Sequence, residues 1–289
     1  MKESCINVAM GGLCGLLLCL CALRCPAQEP DTARLQRFEK RLVTQRLAVI
    51  QSKSDKERIA ANESFILTLD SMLEVPGFYR YPFSEIKTIG IISSPDKSFR
   101  FITWNLPFDD GSNYYYCYLQ RHNKKKDETE TLRLHDMSAD MQSVHAVTGK
   151  TLYADHWYGA LYYRIIPFKR RGKKYYVLLG WDGYSEERTR KIMDVLFFSG
   201  SGRPKFGAPV FRMEKKTQKR IVFEFSAQAV MTIRYEEKNR RIVFDHLSPD
   251  DPAFKGNYAH YGPDLSYDAL LLKKGKWRYT PDVDVRNPR

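Results

Sequence analysis

The chain has 289 residues, of which 43% are hydrophobic and 28% are charged, and its formal net charge is +13. Five of its six cysteines lie within the first 27 residues, which excludes an internal disulfide from the rest of the chain. The rest must therefore be held together by a hydrophobic core. This is feasible because about 260 residues can bury roughly 70% of the surface of the unfolded chain.

The N-terminus has the features of a secretory signal peptide. A short polar head is followed by an apolar run from Ile6 to Leu23, and small residues follow at Cys25 and Ala27. The apolar run is short for a membrane span, and its flanks match a cleavage pattern. We therefore predict cleavage after Ala27, export to the periplasm or the extracellular space, and no transmembrane segment afterwards. An uncleaved anchor is the alternative.

The positive charge is retained after cleavage. Residues 1–27 contain Lys2, Glu3 and Arg24, so the mature chain keeps a net charge of +12. Outside the cytoplasm this excess favours contact with polyanions such as acidic glycans or lipopolysaccharide. A protein of the cell envelope is the other partner considered. Nucleic acid is not expected, because an exported protein rarely meets it and no known binding module occurs.

Residues 28–78 predict a hairpin of two amphipathic helices that packs on the following domain. Apolar residues recur at helical spacing from Leu35 to Val49 among many charged residues. A second helix begins at Ser54, whose hydroxyl caps the first turn while Glu57 reaches back, as in a capping box. The sequence Pro76-Gly77 ends it.

Residues 79–289 predict one β-rich domain, because short apolar runs alternate with turn residues. The strongest strand signal is the segment 173–198, in which two apolar runs flank the sequence Gly180-Trp181-Asp182-Gly183. The two runs predict buried strands. Ser185, followed by two glutamates, predicts a short helix between them.

The links between the predicted strands are too short for parallel crossovers, which predicts antiparallel pairing. The shortest links are 94–97, 170–173, 236–240 and 273–276. About thirteen short strands in meander order indicate a mainly β fold, either a large sandwich or a β-propeller with few blades. Cys117 lies in one of these strands and is predicted to be buried and unreactive.

Acidic residues in turns are the first candidates for function. Asp182 follows Trp181 in the Trp-Asp-Gly sequence, and Asp264 and Asp268 lie in and after a Tyr-Gly-Pro-Asp segment. Two such carboxylates facing each other across a cleft could hydrolyse a glycan. The alternative interpretation is that Asp residues in turns hydrogen-bond their own backbone.

Strand order predicts a basic end and an aromatic end. If successive strands run in alternating directions, the turns 215–219, 236–240 and 273–276 lie at one end of the sheets. The segments 199–207 and 247–266 then lie at the other end. The second end carries Tyr258, His260 and Tyr261, which are suited to stacking on sugars and hydrogen-bonding their hydroxyls. The alternative is that lysine-rich turns are merely solvated and discourage edge pairing.

No sequence motif of a known catalytic or metal site is present. The six histidines are scattered, no His-Glu-x-x-His or paired cysteines occur, and there is no Gly-x-Ser-x-Gly or phosphate-binding glycine loop. No metal and no cofactor is therefore predicted, and catalytic residues stay unassigned.

Three groups of residues resemble a family of functionally uncharacterised exported proteins of Bacteroidota bacteria, over most of residues 65–289. They are Ser94-Pro95-Asp96 followed by Phe99-Arg100-Phe101 and Trp104, then Leu179-Gly180-Trp181-Asp182-Gly183, then Tyr261-Gly262-Pro263-Asp264 with Ser266-Tyr267-Asp268. The resemblance implies export and an intact domain, and it supplies no catalytic residue.

These observations favour an exported, non-enzymatic binding or structural protein of the cell envelope that contacts anionic polymers or glycans. The ligand-binding candidates are Trp181, Asp182, Tyr258, His260, Tyr261, Asp264 and Asp268. The alternative is a glycan-acting hydrolase that uses carboxylates among Asp182, Asp264 and Asp268.

Overall fold

A computed structural model describes residues 31–123, 125–126, 128–141, 144–214 and 216–285. The predicted signal peptide lies outside these residues. Within them the fold is mainly β with antiparallel sheets and an N-terminal pair of helices, as the sequence predicts. The sheets are stacked as in a sandwich, and no barrel closes within the described ranges.

In the described part of the chain, two long helices precede fifteen strands. The helices are α1 (Asp31–Gln51), α2 (Asp55–Leu73) and the short α3 (Val144–Thr148), with single 3-10 turns at Phe78–Arg80, Ala154–His156, Pro252–Phe254 and Tyr258–His260.

Within the described residues, the strands form three sheets, and the strands are numbered in chain order. The first sheet is β1 (Gly90–Ser93), β2 (Phe99–Pro107), β3 (Asn113–Asn123) and β4 (Glu128–His135), paired in that order. The second sheet contains β5 (Leu161–Arg170), β6 (Lys173–Asp182), β7 (Arg188–Phe198), β8 (Pro204–Phe206) and β11 (Ile221–Ser226), in the order β11-β7-β6-β5 with β8 also on β7. The third sheet contains β9 (Phe211–Arg212), β10 (Thr217–Gln218), β12 (Ile233–Glu236), β13 (Arg241–Pro249), β14 (Tyr261–Lys273) and β15 (Lys276–Thr280), in the order β10-β9-β15-β14-β13-β12.

The helical hairpin forms as predicted and covers one face of the first sheet. The Ser54 hydroxyl accepts a hydrogen bond from the Glu57 amide at 3.4 Å, and the Glu57 carboxylate accepts one from the Lys53 amide at 3.1 Å. In the core between the helices and the first sheet, Trp104 of β2 donates its indole N–H to Asn62 of α2 at 2.9 Å. This contact fixes the second helix on the sheet.

The second sheet is covered on both faces, and its alternating side chains enter two different cores. On β6, Tyr176 and Leu178 face the first sheet, whereas Val177 and Leu179 face the third sheet. The apolar run of β6 is almost continuous because a strand that is buried on both sides has no polar face.

A charged pair lies in the middle of the stack. Asp194 of β7 and Arg220 are both fully buried, and their Oδ2 and Nη2 atoms are 2.7 Å apart. Arg220 also donates from Nη1 to the carbonyl of Val147 at 3.0 Å. The guanidinium therefore joins the second sheet to the segment that crosses from the first sheet.

Two sequence predictions about local structure are wrong. No helix begins at Ser185, because the Ser185 amide donates to the Arg188 carbonyl at 2.9 Å and its hydroxyl accepts from the Arg188 amide at 3.1 Å. These bonds close a tight turn into β7, which begins five residues earlier than the predicted strand at Met193.

The second wrong prediction concerns the ends of the sheets. Three short strands, β8, β9 and β10, lie between β7 and β11, and β9 pairs with β15 in parallel through Phe211 and Trp277. The turn 213–216 therefore lies at the end opposite 273–276, although the sequence predicts the same end. The turn 199–203 lies at the same end as 170–173 and 273–276, although the sequence predicts the opposite end. The cause is that the strands between these two turns have only two or three residues each.

Breaking the buried Asp194–Arg220 pair should strongly destabilise the fold. Asp194→Ala leaves the Arg220 charge buried without its carboxylate, and we expect a loss of about 3–5 kcal/mol in the free energy of unfolding, measured by denaturant titration. The matched control is Glu237→Ala, which removes an exposed ion pair with Arg164 and should cost less than about 1 kcal/mol. Equal losses in the two variants would contradict this role of the pair.

Candidate functional site

The hairpin turns of all three sheets meet at one end of the stack. In the second sheet, Arg170 lies so close to Gly275 of the third sheet that a Cβ added to the glycine would be 2.9 Å from the Arg170 Cβ. Towards the first sheet, the Lys174 ammonium lies 2.9 Å from an Asp96 carboxylate oxygen. Turns that are far apart in the sequence therefore form one continuous surface.

We call this surface the basic end, because exposed cations come to it from every sheet. They are Lys97, Lys125, Lys126, Lys169, Arg171, Lys173, Lys174, Arg203, Lys238, Arg240, Lys273 and Lys274. Within the described part of the chain, Lys174 is the one member of this set that forms an ion pair. The other charges are available to a ligand.

Asp96 is the acidic residue that joins the first and second sheets at the basic end. Burial raises the pKa of its carboxyl, but hydrogen bonds from Ser98, Lys174 and Ser94 outweigh this effect and hold the pKa well below its ordinary value. The Tyr176 hydroxyl also donates to it at 3.1 Å. Asp96 thus stays ionised and holds the turn in place.

The opposite end is acidic, and it carries most of the predicted ligand-binding residues. Its exposed acids are Asp109, Asp110, Glu186, Glu187, Asp250, Asp251 and Asp264. Contacts between sheets also hold this end together: the Asn113 side chain donates to the Gly183 carbonyl at 2.6 Å. The molecule is therefore polarised along the strands, with an excess of cations at one end and an excess of carboxylates at the other.

The predicted aromatic residues Tyr258, His260 and Tyr261 lie together at the acidic end, but they contact one another and Phe254. Phe254 stacks on the His260 ring with centroids 3.7 Å apart, and the Tyr258 and Tyr261 rings lie at 5.0 Å. The Tyr261 hydroxyl accepts a hydrogen bond from the Gly256 amide. One face of the His260 ring is thus already occupied.

Trp181 lies at the same end but apart from these aromatic residues. It lines a pocket of about 390 Å³ together with Phe225, Val230 and Met231. The Trp181 ring packs on Gly183, where an added Cβ would lie 2.4 Å from it. The Trp-Asp-Gly sequence therefore gives the indole its position.

Asp182 is buried at the end of β6 and does not lie on an open loop. It accepts hydrogen bonds from the hydroxyls of Tyr115 in the first sheet, at 3.1 Å, and of Tyr158, at 2.7 Å. Arg190 lies 3.9 Å away. Burial raises the pKa of Asp182 to about 6, against the hydrogen bonds and the Arg190 charge, which lower it. These contacts join two sheets and leave no face of the carboxylate open to solvent.

Asp264 and Asp268 come together around His246, a residue that the sequence analysis did not select. The pairing of β13 with β14 slips at this point, so that residues 264–266 bulge opposite His246. The imidazole Nδ1 lies 2.9 Å from Asp268 Oδ2, and Nε2 lies 4.0 Å from Asp264 Oδ2. The bulge carries Leu265 at a φ of 70° with 90% of its surface exposed.

The buried carboxylate Asp268 is fully hydrogen-bonded. Besides His246, its Oδ2 accepts from the Tyr279 hydroxyl at 2.8 Å, and its Oδ1 accepts from the Asp282 amide at 3.1 Å. The hydrogen bond to Asp268 raises the pKa of His246, partial burial opposes the rise, and the charges of Asp268 and Asp264 add to it. The position of His246 two residues beyond the buried Phe244 predicts only that it lies on a strand, since its pairing with Asp268 depends on the bulge.

Comparisons with known proteins identify no relative: no family model, no curated protein and no solved structure matches this chain significantly. Among the described residues, no helix is long and apolar enough to cross a membrane. Those residues also contain no group of three or more His, Cys, Asp or Glu side chains placed to hold a metal ion.

Removing the Asp182 carboxylate should affect stability and not ligand binding. Asp182→Ala leaves the Tyr115 and Tyr158 hydroxyls without their acceptor in the core, and we expect a loss of about 2–4 kcal/mol in unfolding free energy. Denaturant titration measures it. A variant that keeps wild-type stability but loses binding to a glycan would contradict the structural role.

The His246–Asp268 pair should make stability depend on pH. Because the folded-state pKa of His246 is raised, its contribution is complete below about pH 6.5, the unfolded value, and is lost as pH rises through the folded-state pKa. The melting temperature of the wild type should therefore exceed that of His246→Asn by most at about pH 6, and the difference should shrink towards about pH 9. A difference that grows with pH would contradict the pairing.

Proposed function

We propose that this is an exported, non-enzymatic protein of the cell envelope that binds an anionic glycan, of which lipopolysaccharide is one example, through its basic end. The observation that carries the proposal is the convergence of cationic turns from all three sheets on one surface. Solvation explains why a single turn carries lysines. It does not explain why the lysine-rich turns of three separate sheets lie side by side.

The arrangement of charge supports a polymer as the ligand. The cations are spread over the ends of three stacked sheets and are not gathered in one pocket, so several spaced anionic groups can contact them together. Long-range attraction by such a surface raises the rate of association and falls with ionic strength. The acidic end of the molecule would repel the same ligand, which orients the protein on it.

The apolar N-terminal run and its small-residue flank support export. The resemblance to exported proteins of Bacteroidota bacteria stays a prediction.

The alternative, a glycan-acting hydrolase, has less support. Its three carboxylates occupy two separate hydrogen-bond networks, and the buried Asp182 and Asp268 use their oxygens on neighbouring tyrosines, amides and an imidazole. A pair of acids acting on one sugar needs both carboxyls to face the scissile bond.

Charge reversal at the basic end should abolish polymer binding. We expect the double variant Lys273→Glu with Lys274→Glu to bind dextran sulfate about tenfold or more weakly at low salt, because two attractive charges become repulsive. Fluorescence titration measures the affinity, and neutral dextran should not bind to this surface.

The matched control is the double variant Lys56→Glu with Lys255→Glu. It makes the same change in net charge at exposed positions near the acidic end. Equal weakening by the two double variants would show attraction to net charge alone and would overturn the assignment of the basic end. Retention of wild-type affinity by the Lys273 and Lys274 variant would also overturn it.

A further inference from the structure

A second site lies between the second and third sheets, around the His246–Asp268 pair. There an open cleft of about 520 Å³ is bounded by β11, β13, β14, β15 and the turn after β9. From its walls we propose that this cleft binds a neutral sugar ring, independently of the basic end.

The floor of the cleft is aromatic. The rings of Phe223 and Phe244 lie 4.9 Å apart, and the ring of Tyr279 follows Phe244 at 6.4 Å. Phe223 comes from the edge of the second sheet, whereas the other two rings come from the third sheet. Phe244 is buried, whereas Phe223 and Tyr279 are partly exposed, and their rings can bind the C–H face of a sugar ring through apolar contact.

The rim of the cleft is polar and is built by the bulge. The slip in pairing directs His246 to the cleft, where 44% of its side chain stays exposed, and Asp268 fixes its Nδ1. With Nδ1 held, Nε2 is the atom that is open to a ligand. On the other side, Glu214 and Lys216 extend from the turn after β9.

The mixture of donors and acceptors selects the ligand. The Tyr279 hydroxyl donates to Asp268 and can still accept, Glu214 accepts, and Lys216 donates. Sugar hydroxyls both donate and accept, and they surround an apolar ring face, so they match every part of this rim. An ammonium ligand only donates, so it would offer no acceptor to Lys216 and would leave that donor unmatched.

The form of the cleft also fits a small-molecule site. Ligand pockets generally measure about 300–1,000 Å³, are mostly apolar, and carry a few convergent polar groups. One or two sugar units fill a space of this size. The site thus adds a pocket for individual rings to a protein whose basic end contacts spaced charges.

The test measures binding of wild-type protein and variants to an array of neutral glycans, with affinities for the positive glycans then taken by calorimetry. We expect at least one neutral glycan to bind, and His246→Asn and Tyr279→Phe each to weaken it about tenfold through loss of one hydrogen-bonding group. Melting temperatures and near-ultraviolet circular dichroism show whether each variant is folded.

His260→Asn is the matched control, because His260 also lies beside a carboxylate, that of Asp250 at 3.4 Å, but on the aromatic loop outside the cleft. It should bind as the wild type does. Loss of binding in His260→Asn with full binding in folded His246→Asn would place the sugar on the aromatic loop and overturn the proposal. Binding to no neutral glycan would overturn it as well.

Failure of this site is distinguishable from failure of the basic end. Lys273→Glu with Lys274→Glu should leave neutral-glycan affinity unchanged, and His246→Asn should leave dextran sulfate affinity unchanged. If the neutral glycan is lost in the charge-reversed variant, the cleft is not a separate site.

Discussion

The structure depends on the burial of the second sheet from both sides. The side chains of its strands alternate between two cores. If one strand shifted its pairing by one residue, its side chains in each core would move to the other core. Polar contacts fix the alignment: Asp96 and Asp182 join this sheet to the first one near its two ends, and the buried pair of Asp194 and Arg220 lies between them. No disulfide contributes within the described residues, whose one cysteine, Cys117, is a buried free thiol.

This stacking leaves the ends of the strands as the main place for loops. Faces that are covered by neighbouring sheets or helices cannot carry exposed turns, so charged turns from distant parts of the chain come together at the two ends. The excess of lysines at one end and of carboxylates at the other is then a property of the whole stack. It cannot be recognised from any single turn.

Much of the fold could be predicted from the sequence, because its signals are local. The capping box at Ser54, the alternation of apolar residues and the four short antiparallel links are each set within a few residues. The ends of the turns 199–203 and 213–216 could not be predicted, because β8, β9 and β10 are too short to show a period. The meeting of His246 with Asp268 depends on a bulge, which leaves no pattern in the sequence, whereas the Asp264 and Asp268 segment itself was recognised.

The most direct test of the account is amide hydrogen exchange of the protein with and without dextran sulfate at low salt. Protection should appear in the turns 94–98, 170–174, 237–240 and 273–276, on all three sheets, and should disappear at high salt. Protection confined to the acidic end, or to the turns of one sheet, would contradict the claim that the stacked sheets together form the binding surface.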